Sequence, residues 1–278
     1  MVLGGTGLVG AAVVERLAAG GRRTRTSTRA VVECGVVTDE EFRHPRLATI
    51  YDALEPDRGD LDTYVGIADE LGARRVLDVG CGTGTLALML AERGCDVVAV
   101  DPAAASLAVA RAKPGAQRVR WLDGDATALS VRDRDLATMT GNTAQAIADP
   151  RHWTAALKGV HASLRPGGHL VFETRDPAAR GWEAWTRQAT HRTVEISGVG
   201  AVTSWVELTA VDGPLVSFRW TWIFDADGAT LTSDSTLRFR ERDEVEADLR
   251  ATGYSVVDVR DAPDRPGLEF VFLARRAG

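Results

Sequence analysis

Asp78 stands just ahead of three glycines spaced Gly80-x-Gly82-x-Gly84, and a second carboxylate, Asp101, closes the next apolar run. Glycines in such a loop let the backbone take positive φ and approach a ligand that side chains would push away. An acid in the place of Asp101 can accept hydrogen bonds from both hydroxyls of a ribose. Dinucleotide sites share that acid, about 20 residues after their glycines. A pyrophosphate binder, however, wants G-x-G-x-x-G, with the third glycine packing helix against strand. Here the third glycine comes one residue early, and Asp78 would repel a phosphate. Two carboxylates flanking such a loop suit a nucleoside that carries positive charge.

Regular elements must hold these groups in place. Val76-Leu77-Asp78-Val79 reads as a buried strand, Leu86, Ala87 and Leu90 as one face of a helix, and Val97 to Val100 as the next strand. The glycine loop then lies at the carboxyl edge of a parallel sheet, where open α/β sheets bind ligands. Asp123-Gly124-Asp125-Ala126 closes a third strand, Val119 to Leu122. Asp135 to Thr140 reads as a fourth and leads to Gly141-Asn142. Leu164-Arg165-Pro166-Gly167-Gly168 reads as a turn before a fifth, His169 to Thr174.

Val76 to Gly84 resembles motif I of the class I S-adenosylmethionine (SAM)-dependent methyltransferases, and the later segments resemble that family in the same order. The resemblance implies an α/β fold: a Rossmann-like, mostly parallel seven-stranded sheet with a terminal antiparallel hairpin, plus an inserted antiparallel β lid. It implies SAM as cofactor, held by Tyr51, Asp78, Gly80, Cys81, Gly82, Gly84, Asp101, Pro102, Asp125, Ala126 and Asn142. Asp125 would receive the adenine amino group and Ala126 would lend a backbone donor. Tyr51 would cap the pocket from a helix over Phe42 to Leu54, although packing that helix is an equal use for it. A second helix, Asp60 to Leu71, ends at Gly72.

Beyond Thr174 the pattern changes. Asp176-Pro177 breaks the strand, and Ala178 to Trp185 reads as a short helix. Thr190 to Arg240 alternates with period two, with turns at Asp212-Gly213-Pro214 and Asp227-Gly228. Glu244 to Thr252 reads as a helix capped by Gly253, before a closing hairpin of Tyr254 to Arg260 and Leu268 to Ala274. Residues 178–240 are read as a substrate lid. Trp182, Trp185 and Trp222, with Arg175 and Arg219, are its candidate substrate contacts, because aromatic faces suit planar or cationic ligands. The competing use for the tryptophans, Trp205 and Trp220 included, is the core under the meander. For the arginines it is solvated surface.

Methyl transfer from a sulfonium is an in-line displacement that positioning and water exclusion largely serve. A general base is needed only for an acceptor that keeps its proton. Asn142, Glu173 and His152 are the candidates, although Glu173 would equally serve a structural pairing with an arginine. His152 and His161 fall on a helix expected at the surface.

The chain has 278 residues, 45% hydrophobic and 26% charged, with a formal net charge of −6. That size permits one large domain, or one domain with an appendage. The acidic balance argues against a nucleic-acid partner. Cys34, Cys81 and Cys95 lack metal spacing and suggest a reducing compartment, hence the cytoplasm. No metal site is evident, no apolar run approaches the ~18 residues of a membrane span, and the start has Glu15 rather than a leader pattern. The expected partner is a small molecule; the oligomeric state is not legible. Residues 1–41 are read as an extension and linker, and 42–278 as the methyltransferase domain. Within the extension, Gly4, Gly7 and Gly10 resemble the truncated start of a short-chain dehydrogenase, with Arg29 where such enzymes meet the NADP 2′-phosphate. Two alternatives remain at this stage. One is a SAM-binding protein with non-methylating chemistry; the other is an NADP-linked oxidoreductase or redox sensor built on the N-terminal glycines.

Overall fold

A computed structural model of the chain describes residues 39–278. The N-terminal glycine motif, Arg29 and Cys34 lie outside the described residues. Helices α1 (Glu40–Arg43) and α2 (Pro45–Leu54) come first. The sequence reading had one helix here and a linker reaching Glu41. Instead the helix starts at Glu40 and breaks at His44, because Pro45 takes the first helical position, where its missing N–H costs nothing. A single turn, Gly59–Leu61, leads into α3 (Asp62–Glu70).

The main sheet is built from alternating strands and helices: β1 (Arg75–Val79), α4 (Thr85–Glu92), β2 (Asp96–Asp101), α5 (Ala104–Ala112), β3 (Val119–Asp123), β4 (Arg134–Met139), α6 (Thr143–Ala146), α7 (Pro150–Ser163) and β5 (Leu164–Arg175). After β5 come two short turns, Pro177–Ala179 and Gly181–Ala184, where the sequence reading had a helix. Next is α8 (Arg187–Thr190), then a separate antiparallel sheet of β6 (Arg192–Ile196), β7 (Gly200–Asp212), β8 (Leu215–Phe224) and β9 (Thr230–Arg238). Helix α9 (Arg242–Ala251) and the hairpin β10 (Tyr254–Asp261) and β11 (Glu269–Arg276) finish the chain.

The main sheet runs β10-β11-β5-β4-β1-β2-β3, with β11 antiparallel to β5 and the strands from β5 to β3 parallel. Leu77, Val79, Val98 and Val100 face α7 and α9, where Trp153, Leu157, Val160, Val245 and Leu249 are buried. Val76, Val97 and Ala99 face α3 and α4. Both faces are covered, so β1 and β2 read as continuous apolar runs rather than alternating ones. The turn expected at Leu164 to Gly168 is absorbed into β5. Arg134 pairs with Leu164 and Leu136 with His169, so the residues between bulge out, with Gly167 at φ +75°. Among the described residues no helix is long and apolar enough to cross a membrane.

Candidate functional site

Chain order reverses beside β1, which lies between β2 and β4, so the loops after β1 and β4 diverge and leave a crevice. Gly80 sits at its floor with φ +69°. A Cβ there would come within 2.4 Å of the Thr143 hydroxyl, so only glycine allows the two loops to meet. Gly84 is equally constrained: its Cβ would lie 2.4 Å from the Trp121 ring, which packs α4 against β3. Gly82 differs. At φ +53° a Cβ would meet nothing within 4 Å, because the space above it is the crevice.

Two cavities share Gly80. The first, about 430 Å³, is lined by Asp78, Cys81, Gly82, Thr83, Thr140 and Gly141, and closed by Phe42, Tyr51, Arg58 and Leu61. The second, about 400 Å³, is lined by Val100, Pro102, Gly124, Asp125, Ala126 and Ile147, with Thr143 and His152 at its side. A polar, acid-floored chamber joined to an apolar one fits a ligand with a charged end and a flat heterocyclic end.

The electrostatics match. Asp78 is buried, with Oδ1 accepting from the Thr138 hydroxyl at 2.8 Å. Burial pushes its pKa up to about 7, helped by the Asp101 charge and opposed by the Thr138 hydrogen bond. Asp101 is raised to about 6, again by burial, against the backbone N–H groups that bond it. Those donors are Gly82 N to Oδ2 and Ala103 N to Oδ1, both at 2.8 Å. Asp101 therefore tethers the glycine loop to the end of β2. Arg58 lines the same chamber, its guanidinium held by Asp60 at 3.0 and 3.1 Å. Carboxylates facing an ammonium and a sulfonium, and an arginine for a carboxylate, fit the amino-acid end of SAM.

Of the sequence-predicted cofactor residues, Tyr51, Asp78, Gly80, Cys81 and Gly82 line the first cavity, and Gly80, Pro102, Asp125 and Ala126 the second. Gly84 and Asp101 support the loop from outside. Asn142 is a correction. It lines neither cavity; its Oδ1 accepts from Arg175 Nε at 2.9 Å, and its backbone N–H donates to Glu173 at 2.9 Å. Glu173 belongs to the same interior network, accepting also from the Tyr64 hydroxyl, and burial followed by the Glu269 charge raises its pKa. The structure thus holds Glu173 in an interior network of Tyr64 and Asn142, not in the expected pairing with an arginine and not against either cavity. His152 is also relocated: the first turn of α7 faces the apolar cavity rather than open surface.

The expected substrate contacts line neither cavity. Trp182 and Trp185 pack edge-on against Phe239 and Phe218, and Trp222 is buried beside Trp220. All belong to an apolar core between the second sheet and α1–α2. Arg175 is buried, 3.4 Å from Glu269 and over the Trp185 ring. Arg219 is exposed and pairs with Asp234 at 2.7 Å. Sequence reading missed Arg58, Phe42, Leu61 and Thr83. Thr83 alone carried a signal, inside the glycine motif; its hydroxyl donates to Asp52 at 2.6 Å and pins α2 to the loop. Among the described residues no group of three or more His, Cys, Asp and Glu is placed to hold a metal ion.

Comparison with known proteins agrees with this geometry. Residues 76–168 match the family profile described as a methyltransferase domain. The cypemycin N-terminal methyltransferase of a Streptomyces species is 36% identical over 126 residues, covering 45% of this chain and 51% of that protein. The demethylmenaquinone methyltransferase of Thermus thermophilus is 39% identical over 121 residues, 42% of this chain and 54% of that one. The chain thus spans about half the length of the curated relatives it matches. Among solved structures, SAM-bound CalS10, an amino pentose methyltransferase from Micromonospora echinaspora, aligns with a TM-score of 0.62 at 25% identity, covering 82% of this chain and 97% of that one. The sugar N-methyltransferase KedS8 from a Streptoalloteichus species gives 0.65 at 21% identity, over 95% and 100%. At that identity the second likeness is one of fold.

Proposed function

We infer that this chain, whose residues 76–168 form a SAM-dependent methyltransferase domain, transfers a methyl group to an O, N or C atom of a small-molecule acceptor. The observation that carries this reading is the acid-floored chamber joined to an apolar one across Gly80. When bound, SAM would supply a sulfonium methyl, to which a nucleophilic acceptor atom bonds as S-adenosylhomocysteine leaves. The protein's work is then to hold the donor, aim the acceptor and keep water out. Asp78 and Asp101 hold charge and ribose, Arg58 the carboxylate, and the wall of Ala126, Pro102 and Ile147 the base. We read residues 42–278 as the methyltransferase unit and 178–240 as the lid over its acceptor side. CalS10 is named as an amino pentose methyltransferase, and we favour an amine on a sugar-like body here. Free cysteines at 81 and 95 support a cytoplasmic placement.

The raised pKa of Asp78 sets a pH dependence. The ligand's ammonium group selects the ionised carboxylate, so affinity for S-adenosylhomocysteine should rise about tenfold between pH 6 and 8. Asp78→Asn should flatten that profile. The stability of the ligand-free protein runs the other way. Folded Asp78 keeps its proton up to about 7, whereas the unfolded carboxyl loses it near the ordinary 3.8. Raising the pH through that window therefore destabilises the fold. Calorimetric titration and melting curves at several pH values check both signs.

Transfer itself is tested by incubating the protein with SAM and pooled small-molecule acceptors and measuring S-adenosylhomocysteine release. Release that depends on acceptor supports the reading. Tight SAM binding with no release from any pool would favour a SAM-binding protein with other chemistry.

A further inference from the structure

Glu41 Oε2, Ser204 Oγ and Trp220 Nε1, three buried polar atoms that find no partner among the described residues, gather between α1 and the inner face of the second sheet, beside the Asp39 carboxyl and the Ser235 hydroxyl, which face each other. The strand register places them together. Ser204 lies opposite Trp222, and Trp220 opposite Ser233, whose hydroxyl accepts from the Glu41 N–H at 3.0 Å. Trp220 and Trp222 stack with ring centroids 5.8 Å apart. Glu41 is 6% exposed, Trp220 7% and Ser204 0%, so solvent does not satisfy these groups. Orphaned buried donors and acceptors are rare in native proteins, and each one calls for water, an ion or a ligand. The nearest cation does not answer the need, because Arg192 is bonded to Glu55.

We propose that Asp39, Glu41, Ser204, Trp220 and Trp222 form the acceptor site, and that it receives a protonated amine on a hydroxyl-bearing ring, the chemistry of an amino sugar. The proposal rests on the methyl-transfer reading and names the substrate class for it. Two carboxylates suit an ammonium, the indole N–H and the serine hydroxyl suit ring hydroxyls, and the indole faces suit the apolar side of the ring. Burial pushes Asp39 up to about 7 and Glu41 well above the carboxylate range, so once ionised by the arriving cation one of them takes a proton from the ammonium and frees the nitrogen lone pair that methyl transfer needs. The place is right: Phe42, next in α1, and Tyr51 wall the donor chamber and contact each other at 5.7 Å. In this closed arrangement the site is shut, so entry requires the second sheet to part from α1.

The test uses the full chain saturated with S-adenosylhomocysteine, titrated calorimetrically with methyl glycosides bearing an amine at different ring carbons. Each is matched by the hydroxyl sugar of the same configuration. At least one amine is expected to bind tenfold or more tighter than its hydroxyl partner. Glu41→Gln should erase that preference, with S-adenosylhomocysteine affinity within twofold of wild type. Trp220→Phe, which keeps the ring and loses the N–H, should weaken the amine fivefold or more and covers the case in which Glu41→Gln fails to fold. Equal binding of amine and hydroxyl sugars, or a preference that survives both substitutions, would overturn the site. Failure of the wild type to bind S-adenosylhomocysteine would instead remove the methyltransferase reading beneath it.

Discussion

Gly82→Arg is expected to abolish S-adenosylhomocysteine binding, by at least a hundredfold, while the protein stays folded. Position 82 has φ +53° and open space above it. A non-glycine residue there costs about 1–2 kcal/mol in backbone strain, which lowers the melting temperature by about 2–8 °C in a protein of this size. The side chain then has one place to go, the chamber floored by Asp78. It fills the volume the ligand needs and puts a cation beside the two acids that await one. Gly82→Ala carries the same strain and little of the bulk, so it should melt like the arginine variant yet retain most of the binding. Equal loss from both would mean that loop conformation, not the chamber, governs affinity. Wild-type affinity in Gly82→Arg would remove the glycine loop from the site.

Asp101→Ala carries the second large effect. The carboxylate accepts from the Gly82 and Ala103 N–H groups at 2.8 Å each, and the methyltransferase resemblance implies that it accepts from the ribose hydroxyls as well. Two hydrogen bonds to a charged acceptor are worth about 1.5 kcal/mol or more apiece, so affinity for S-adenosylhomocysteine should fall about a hundredfold. Two effects on stability oppose each other: a buried acid is removed, and two backbone donors lose their acceptor. Melting should therefore move little. Asp101→Asn keeps one acceptor and should fall between wild type and Ala. Isothermal titration of the three proteins measures this directly, and a loss below fivefold in Asp101→Ala would mean that Asp101 serves the loop alone.

The parts of this molecule that could be read in advance are those where local chemistry and global position coincide. Val76 to Gly84 had to be a buried strand meeting a ligand, because no other use explains an acid followed by three glycines beside an apolar run. The crossover pattern then followed from strand–helix alternation. The tryptophans show the opposite case. Period-two alternation placed Trp220 and Trp222 on one face of β8, and that was correct. That α1 packs over this face depended on helix docking that no local pattern encodes. Arg58 was invisible for a similar reason: it lies in a loop between two helices and reaches the chamber only through the fold. Asn142 and Glu173 sat at the right strand ends, yet the fold turns the carboxylate to Tyr64 and the asparagine Oδ1 to Arg175. Sequence spacing locates the edge of a sheet well. It cannot say which polar groups at that edge are already spent.

The most direct measurement is calorimetric titration of the purified full chain with SAM and, separately, with NADPH at pH 8. One saturable site for SAM with micromolar or tighter affinity is expected, with no heat from NADPH. No heat from SAM, with saturable binding of NADPH, would contradict it.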